Sequence, residues 1–340
     1  MKVVPVYEAE GMVLCHDITE IVPGRFKGRA FKKGHVVKKE DIPKLLKLGK
    51  EHLYVWETGE NALHENEAAV RIAKAVAGPG IELSEPVEGK VELRAVVPGL
   101  LKIDAEALEK VNCIDEVVLA TLHSDRLVQP GAKVAGCRVV PLVIEAQKIG
   151  RVEEIGRASP FLIQVKALRS MSVGIVTTGS EVYNGRIEDK FGPVLRGKIE
   201  EVGSRVLRQI IVSDSATMIV DAIRALIGEG ADIVLVSGGM SVDPDDVSPT
   251  AIRSVADRVV VHGAPVLPGS MFMLAKVGAV SIMGLPGCVM YHRTTIFDLV
   301  LPRILAGEEV SRQDVARLGH GGLCLECATC AYPNCSFGKA

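Results

Sequence analysis

Residues 231–254 read ADIVLVSGGMSVDPDDVSPTAIRS, and this stretch decides the fold. Ile233–Val236 is an uninterrupted aliphatic run, the pattern of a strand buried on both faces. It ends at Gly238 and Gly239, where a ligand can approach the backbone closely. Ser248 and Pro249 then open an amphipathic helix, Ser248 as N-cap and Pro249 in its first turn. Strand, glycine turn and helix in this order form the repeating unit of an α/β sheet.

The same unit recurs on both sides. MSVGIVTTGSEV (171–182) is a fully apolar strand running into a Thr-Gly turn, and GPVLRGKIEEVG (192–203) is a helix with Leu195, Ile199 and Val202 on one stripe. RVLRQIIVS (205–213) is a strand, and SATMIVDAIRALIGEG (215–230) is a helix facing inward through Ile219, Ala222, Ile223 and Leu226. GAVSIMGLPG (278–287) is a further strand, and VMYHRTTIFDLVLPRIL (289–305) reads as one long helix. The expected fold is therefore α/β: an open, mostly parallel sheet with helices on both faces over 169–310.

Residues 1–65 mix short strands with a helix over Asp41–Leu48, an α+β region. In 66–168 a first helix carries Ala68, Ile72 and Val76 on one face. The rest reads as strands with turns at PVEGK, VVPGLL and VQPGAK, and a helix over Ala105–Val111. Residues 311–340 form a cysteine-rich tail behind a short helix that stops at Gly321-Gly322.

A length of 340 residues suits two or three domains, and 48% hydrophobic with 24% charged residues suits ordinary globular cores. Forty basic against 42 acidic side chains leave no basic excess for nucleic acid or an anionic membrane. Aromatics at 4% argue against a base-stacking platform. No apolar h-region follows Met1, and no apolar run approaches the roughly 18 residues of a membrane span. The expectation is a cytoplasmic protein without membrane or nucleic-acid partners.

In open α/β sheets ligands bind beyond the carboxyl ends of the strands, which directs attention to three turns. After the first strand, Gly179 permits a tight turn whose amides can face an anion, with Asp189 ten residues on. After the third, Asp243, Asp245 and Asp246 crowd together and repel one another; a cation bridging them to a phosphate relieves this, and Mg²⁺ is the usual choice. After the last, Pro286-Gly287 frees backbone amides for phosphate. Cys324, Cys327, Cys330 and Cys335 give C-x₂-C-x₂-C-x₄-C, four soft donors for Zn²⁺ or an iron–sulfur cluster, with His320 as a substitute ligand. The stretch RFKGRAFKKGHVVKK (25–39) is basic and reads as a solvated loop able to meet an anion.

Taken in order, these turns resemble the molybdopterin-binding domain shared by molybdopterin adenylyltransferase and molybdopterin molybdenumtransferase. IVTTGSEV resembles the family's strand and Thr-Gly-acid turn, with Ser180 in place of the common acid and Glu181 matching the next. Gly-Gly-Met-Ser-Val (238–242) is similar to the metal-insertion branch, and Pro244 with Asp246–Pro249 to the adenylyltransferase branch. VLPGSMF (266–272) and GLPGC (284–288) resemble the later Pro-Gly turns. The resemblance covers about 170–307. It departs from the family at Cys288-Val289, where a polar residue and proline are common, and no Asp-Gly-Tyr segment precedes it.

The resemblance implies molybdopterin contacts at Thr178, Gly179, Ser180, Glu181, Gly238, Gly239, Ser241, Ser248, Pro268, Gly269, Pro286 and Gly287. It implies catalytic carboxylates at Asp246 and Asp189, and Mg²⁺ at Asp246 and Asp243. Implied partners are molybdopterin, molybdate or tungstate, a recipient molybdoenzyme and further copies of the chain. Two roles follow: a transferase most like the metal-insertion enzyme, and a non-catalytic molybdopterin carrier or sensor with a metal or redox element in its tail.

Overall fold

The structure, a computed structural model, describes residues 2–22, 26–55, 61–159, 161–244 and 246–339. Asp245 of the acidic cluster and residues 56–60 of the polar connector lie outside the described residues. The chain divides into two compact units: residues 1–96, 103–122 and 130–164 make the first, and 97–102, 123–129 and 165–340 the second.

The first unit is rich in strands. A four-stranded antiparallel sheet runs in the order Ile81–Leu83, Lys90–Ala95, Lys133–Val139, Val117–Thr121. The helix Glu65–Val76 packs on it through Ala68, Ile72 and Val76, the stripe expected from the sequence. The helix over Ala146–Ala158 departs from the strand-rich expectation. Two of its residues are glycines, which depress helix propensity by about 1 kcal/mol each. Gly156 is there for a packing reason: a Cβ would stand 2.2 Å from the Ala75 carbonyl oxygen on the neighbouring helix.

The second unit is built on a six-stranded sheet. Its strands are β1 (Ser172–Thr178), β2 (Arg205–Val212), β3 (Ile233–Ser237), β4 (Arg258–His262), β5 (Met273–Val277) and β6 (Val280–Leu285), in spatial order β2-β1-β3-β6-β5-β4. The first four in that order pair in parallel. β5 runs antiparallel to both β6 and β4. The sheet is thus mostly parallel, as expected, with a hairpin-like edge.

The helices are α1 (Ser180–Tyr183), α2 (Phe191–Glu201), α3 (Ala216–Gly228), α4 (Ser248–Val255), α5 (Ile296–Leu305) and α6 (Arg312–Arg317). Alternating residues of each strand feed two cores. Val173, Ile175, Ile233 and Leu235 face α2, α5 and α6. Val176, Val234 and Val236 face α3 and α4.

Two expected helix starts are corrected. The N-cap of α4 is Val247, not Ser248. The Ser248 hydroxyl instead donates to the Gly238 carbonyl at 2.9 Å, tying the helix start to the turn after β3. The helix expected over 289–305 begins only at Ile296, because Thr295 and Asp298 form a capping box there. Gly287–Met290 is a 3₁₀ turn.

The tail packs against the core of the second unit. Phe337 is 3% exposed inside the core beneath α5, and Tyr332 packs against that core. Leu323 pairs with Leu267 in a parallel bridge. At the helix-stopping pair, a Cβ on Gly322 would stand 2.4 Å from the Pro265 carbonyl oxygen, so the chain passes there only as glycine.

A charged cluster joins further parts of the second unit. Glu308, 11% exposed at its side chain, meets Lys102 at 3.0 Å, Lys166 at 3.2 Å and Arg303 at 3.0 Å. Arg303 also meets Asp314 at 3.2 Å. Burial opposes ionisation of Glu308, yet its bonds to Lys102 and Arg303 prevail and hold it below the usual carboxylate range.

Candidate functional site

The carboxyl ends of β1 and β3 bring expected residues together. Gly238 has φ +93, and a Cβ on it would stand 2.4 Å from the Thr178 carbonyl oxygen and 2.7 Å from Thr178 Oγ1. Gly239 has φ +57, and its Cβ would lie 2.9 Å from Ser248 Oγ, 3.3 Å from Thr178 Oγ1 and 3.7 Å from Asp246 Oδ1. Thr178, the glycine pair, Asp246 and Ser248 therefore pack together in one turn, at a closeness that only glycine allows at position 238. Met240, just after the glycine pair, packs its thioether against Gly284 of β6.

Within this cradle Thr178 Oγ1 is buried and makes no hydrogen bond to any described residue. A buried hydroxyl without a partner costs about 1–3 kcal/mol, so such atoms in a folded protein ask for a ligand or water. This is the observation that makes the cradle a site.

The other expected residues have more local roles. The Asp189 carboxylate accepts from the amides of Phe191 at 2.9 Å and Gly192 at 3.1 Å, and from Gln209 Nε2 at 2.5 Å. Gln209 also donates to Thr177 Oγ1 at 2.9 Å. Asp189 thus caps α2 and joins it to β1 and β2. The Ser180 amide, offered to an anion on sequence grounds, donates to Asp214 at 2.8 Å. Glu181 is exposed, its carboxylate close to Gly179.

Asp246 is half-buried, and its Oδ2 accepts from the Asp243 amide at 3.1 Å, closing the acidic loop on itself. Ser241 and Asp243 are exposed. Among the described residues, no three His, Cys, Asp or Glu side chains form a group that could hold a metal ion.

Pro268-Gly269 and Pro286-Gly287 lie at the same end of the sheet, after β4 and β6. Gly269 is pressed against Ile296 at the start of α5, and Pro286 is buried. They shape the rim on the α5 side. Lys198 of α2 crosses to this rim, meeting Asp298 at 2.5 Å and the Arg293 carbonyl at 2.7 Å. Burial raises the Asp298 carboxyl despite Lys198, and burial likewise pushes up the Cys288 thiol.

Residues 174–306 match the family described as a probable molybdopterin binding domain. This segment of the chain is a member of that domain family. Residues 3–57 match a domain of unknown function. A CinA-like protein of Mycolicibacterium vanbaalenii is 33% identical over 97 residues, which is 28% of this chain and 23% of that protein. The chain spans less than a quarter of the length of the curated relatives it matches.

Among solved structures, the molybdopterin biosynthesis enzyme MoaB from Thermus thermophilus is 25% identical and covers 41% of this chain and 98% of its own, with a TM-score of 0.35. CinA, of unknown function, from Thermoplasma acidophilum is 17% identical and covers 35% of this chain and 89% of its own, at 0.30. The molybdopterin-binding segment contains the whole Thr178–Gly238–Gly239–Asp246–Ser248 cradle.

Two cavities elsewhere were not foreseen. In the first unit, about 320 Å³ opens among His16, Lys33, Glu65 and Arg138. Lys33 comes from the basic stretch read as a solvated loop. Burial pushes His16 and Lys33 down and Glu65 up, and His16 Nδ1 is buried with no hydrogen-bond partner among the described residues. No spacing in the sequence signals this convergence, because its residues come from four separate segments. In the second unit, about 630 Å³ opens at the amino ends of the strands beside Asp232, Asp257 and Arg258. Several of its charges are engaged: Asp232 accepts from the Ser172 amide, Asp257 from the Gly278 amide, and Arg258 pairs with Glu309.

Proposed function

We propose that the second unit binds molybdopterin, or its adenylylated form, across the carboxyl ends of β1 and β3, and that the chain acts in cytoplasmic molybdenum or tungsten cofactor synthesis at a step most like metal insertion. The observation that carries this reading is the unpartnered Thr178 hydroxyl facing Gly238 and Gly239. A pterin or phosphate oxygen that entered this turn by displacing its packing would satisfy the hydroxyl. Ser248 fixes the turn, and Asp246 is the carboxylate nearest the cradle.

Metal insertion into a dithiolene needs positioning and charge balance more than a nucleophile. Asp246 supplies one negative charge at the reacting end. Mg²⁺ binds through one or two carboxylates together with substrate phosphates, so in this reading it arrives with the ligand's phosphate, and this chain adds only Asp246 with Asp243 beside it. Asp189, whose oxygens are engaged by α2 and Gln209, is a positioning residue. Molybdate or tungstate is the inorganic substrate, a molybdoenzyme receives the product, and the chain assembles as a homo-oligomer.

A second reading is a carrier or sensor without turnover. It is favoured by Cys288-Val289 where the resembling enzymes have a polar residue and proline, and by the use of Asp189 as a helix cap. Incubation with adenylylated molybdopterin, Mg²⁺ and molybdate separates the two. Release of AMP with metal-loaded cofactor, lost in Asp246→Ala, supports the transferase. Tight binding with no product selects the carrier, and no binding defeats both. In the second reading the four tail cysteines supply the metal or redox element; the transferase step makes no use of them.

A further inference from the structure

Cys324, Cys327, Cys330 and Cys335 all line one cavity of about 100 Å³, together with His292 and Arg293. Cys324 and Cys335 are half-buried and packed against the core under α5, while Cys327 and Cys330 are exposed at the mouth. The walls are fixed. The Cys324 amide donates to the Leu267 carbonyl at 2.8 Å, and the Leu267 amide in turn donates to the Gly322 carbonyl at 2.8 Å. Asn334 accepts from Arg126 at 2.7 Å, and Phe337 is 3% exposed. Tyr332 is buried deeply enough to push its hydroxyl up to about 12. These thiols are therefore held around a cavity by the α/β fold.

We propose that this cavity holds a four-iron, four-sulfide cluster ligated by these four cysteines. All four cysteines line one space. The size of the space favours a cluster over a single ion. A tetrahedral Zn²⁺ with bonds of about 2.3 Å draws its four sulfurs to about 3.8 Å from one another. A four-iron cluster asks for the opposite: each thiolate binds a different iron, so the sulfurs stand apart around a compact inorganic core.

The volume agrees. It exceeds the roughly 10–15 Å³ that houses one water and falls short of the roughly 300 Å³ at which pockets for organic ligands begin. Two C-x₂-C steps place three ligands within one short loop, the usual opening of such a site. On binding, four thiols release four protons, and the cationic Arg293 in the wall offsets the resulting negative charge.

The test uses the full chain, purified without oxygen and reconstituted with ferrous iron, sulfide and a thiol reductant. Expected are about four iron and four sulfide per chain, a brown charge-transfer spectrum, and an electron paramagnetic resonance signal that appears on reduction with dithionite. Cys327→Ser should lose most of the iron and the signal, whereas Cys113→Ser, at an exposed cysteine outside the cavity, should keep both. Alkylation of Cys327 and Cys330 should be at least tenfold slower in loaded than in unloaded wild-type protein, a readout independent of any variant's folding. One zinc per chain without sulfide, about two iron per chain, or wild-type protein that takes up neither metal overturns the proposal. Molybdopterin binding is measured separately, so failure of either reading leaves the other standing.

Discussion

Thr178 and Gly238 oppose each other in a way that makes the cradle testable one side chain at a time. Thr178→Val is close to isosteric and removes a buried hydroxyl that has no partner among the described residues. Replacing an unsatisfied polar group by an apolar one of the same shape is neutral or stabilising, so thermal unfolding should show a melting temperature unchanged or raised. Gly238→Ala carries the opposite expectation. It forces an L-residue to φ +93 and drives a Cβ toward the Thr178 carbonyl. A loss of about 1–3 kcal/mol in denaturant unfolding is expected. Equal stability of the two variants would mean that the turn relaxes freely and that glycine is not required at position 238.

At the scale of elements, the βα units are legible because their apolar runs and glycine stops repeat. Two strands are not. RVVVH (β4) and MLAKV (β5) are short, alternate only weakly, and run antiparallel at the sheet edge, where the βα rhythm breaks. The helix start at Ile296 is hidden because HRTT reads as ordinary helix until Thr295 and Asp298 are recognised as a capping box three residues apart. The partners of Glu308 are invisible in sequence, since Lys102 and Lys166 lie 206 and 142 residues away.

That cluster makes the α5–α6 region sensitive to acid. Asp314 is opposed by burial but stabilised as a carboxylate by Ser311 and Arg303, which bring it from 3.8 to about 2. A carboxyl depressed in the folded state stabilises the fold above its unfolded value, and this contribution disappears as pH falls through the folded one. Stability should therefore decline between about pH 4 and pH 2. Asp314→Asn should flatten that part of the profile. Glu308→Ala removes the acid that Lys102, Lys166 and Arg303 share, while Asp125 still meets Lys102 and Asp314 still meets Arg303, and should cost about 1–3 kcal/mol at neutral pH.

For the whole molecule, the family of the α/β segment can be inferred from three ordered turns, whereas the placement of the tail cannot. A cysteine-rich end behind a glycine pair looks detachable until Phe337 is found in the core and Gly322 against Pro265. Phe337→Ala should cost about 3–5 kcal/mol, so truncation after Leu318 should lower the stability of the second unit rather than leave it untouched. The polar cavity of the first unit is equally hidden, because His16, Lys33, Glu65 and Arg138 meet only through the fold. Sedimentation at micromolar concentration should show an oligomer; a monomer would remove that part of the proposed assembly.

The central claim is that Thr178 and the glycine pair receive the pterin ligand, and equilibrium titration followed by pterin fluorescence tests it most directly. Wild-type protein should bind molybdopterin saturably. Thr178→Val should bind at least about tenfold more weakly, the ~1.4 kcal/mol of one buried hydrogen bond, with no loss of thermal stability. Failure of the wild-type chain to bind, or equal affinity in a folded Thr178→Val variant, would contradict the account.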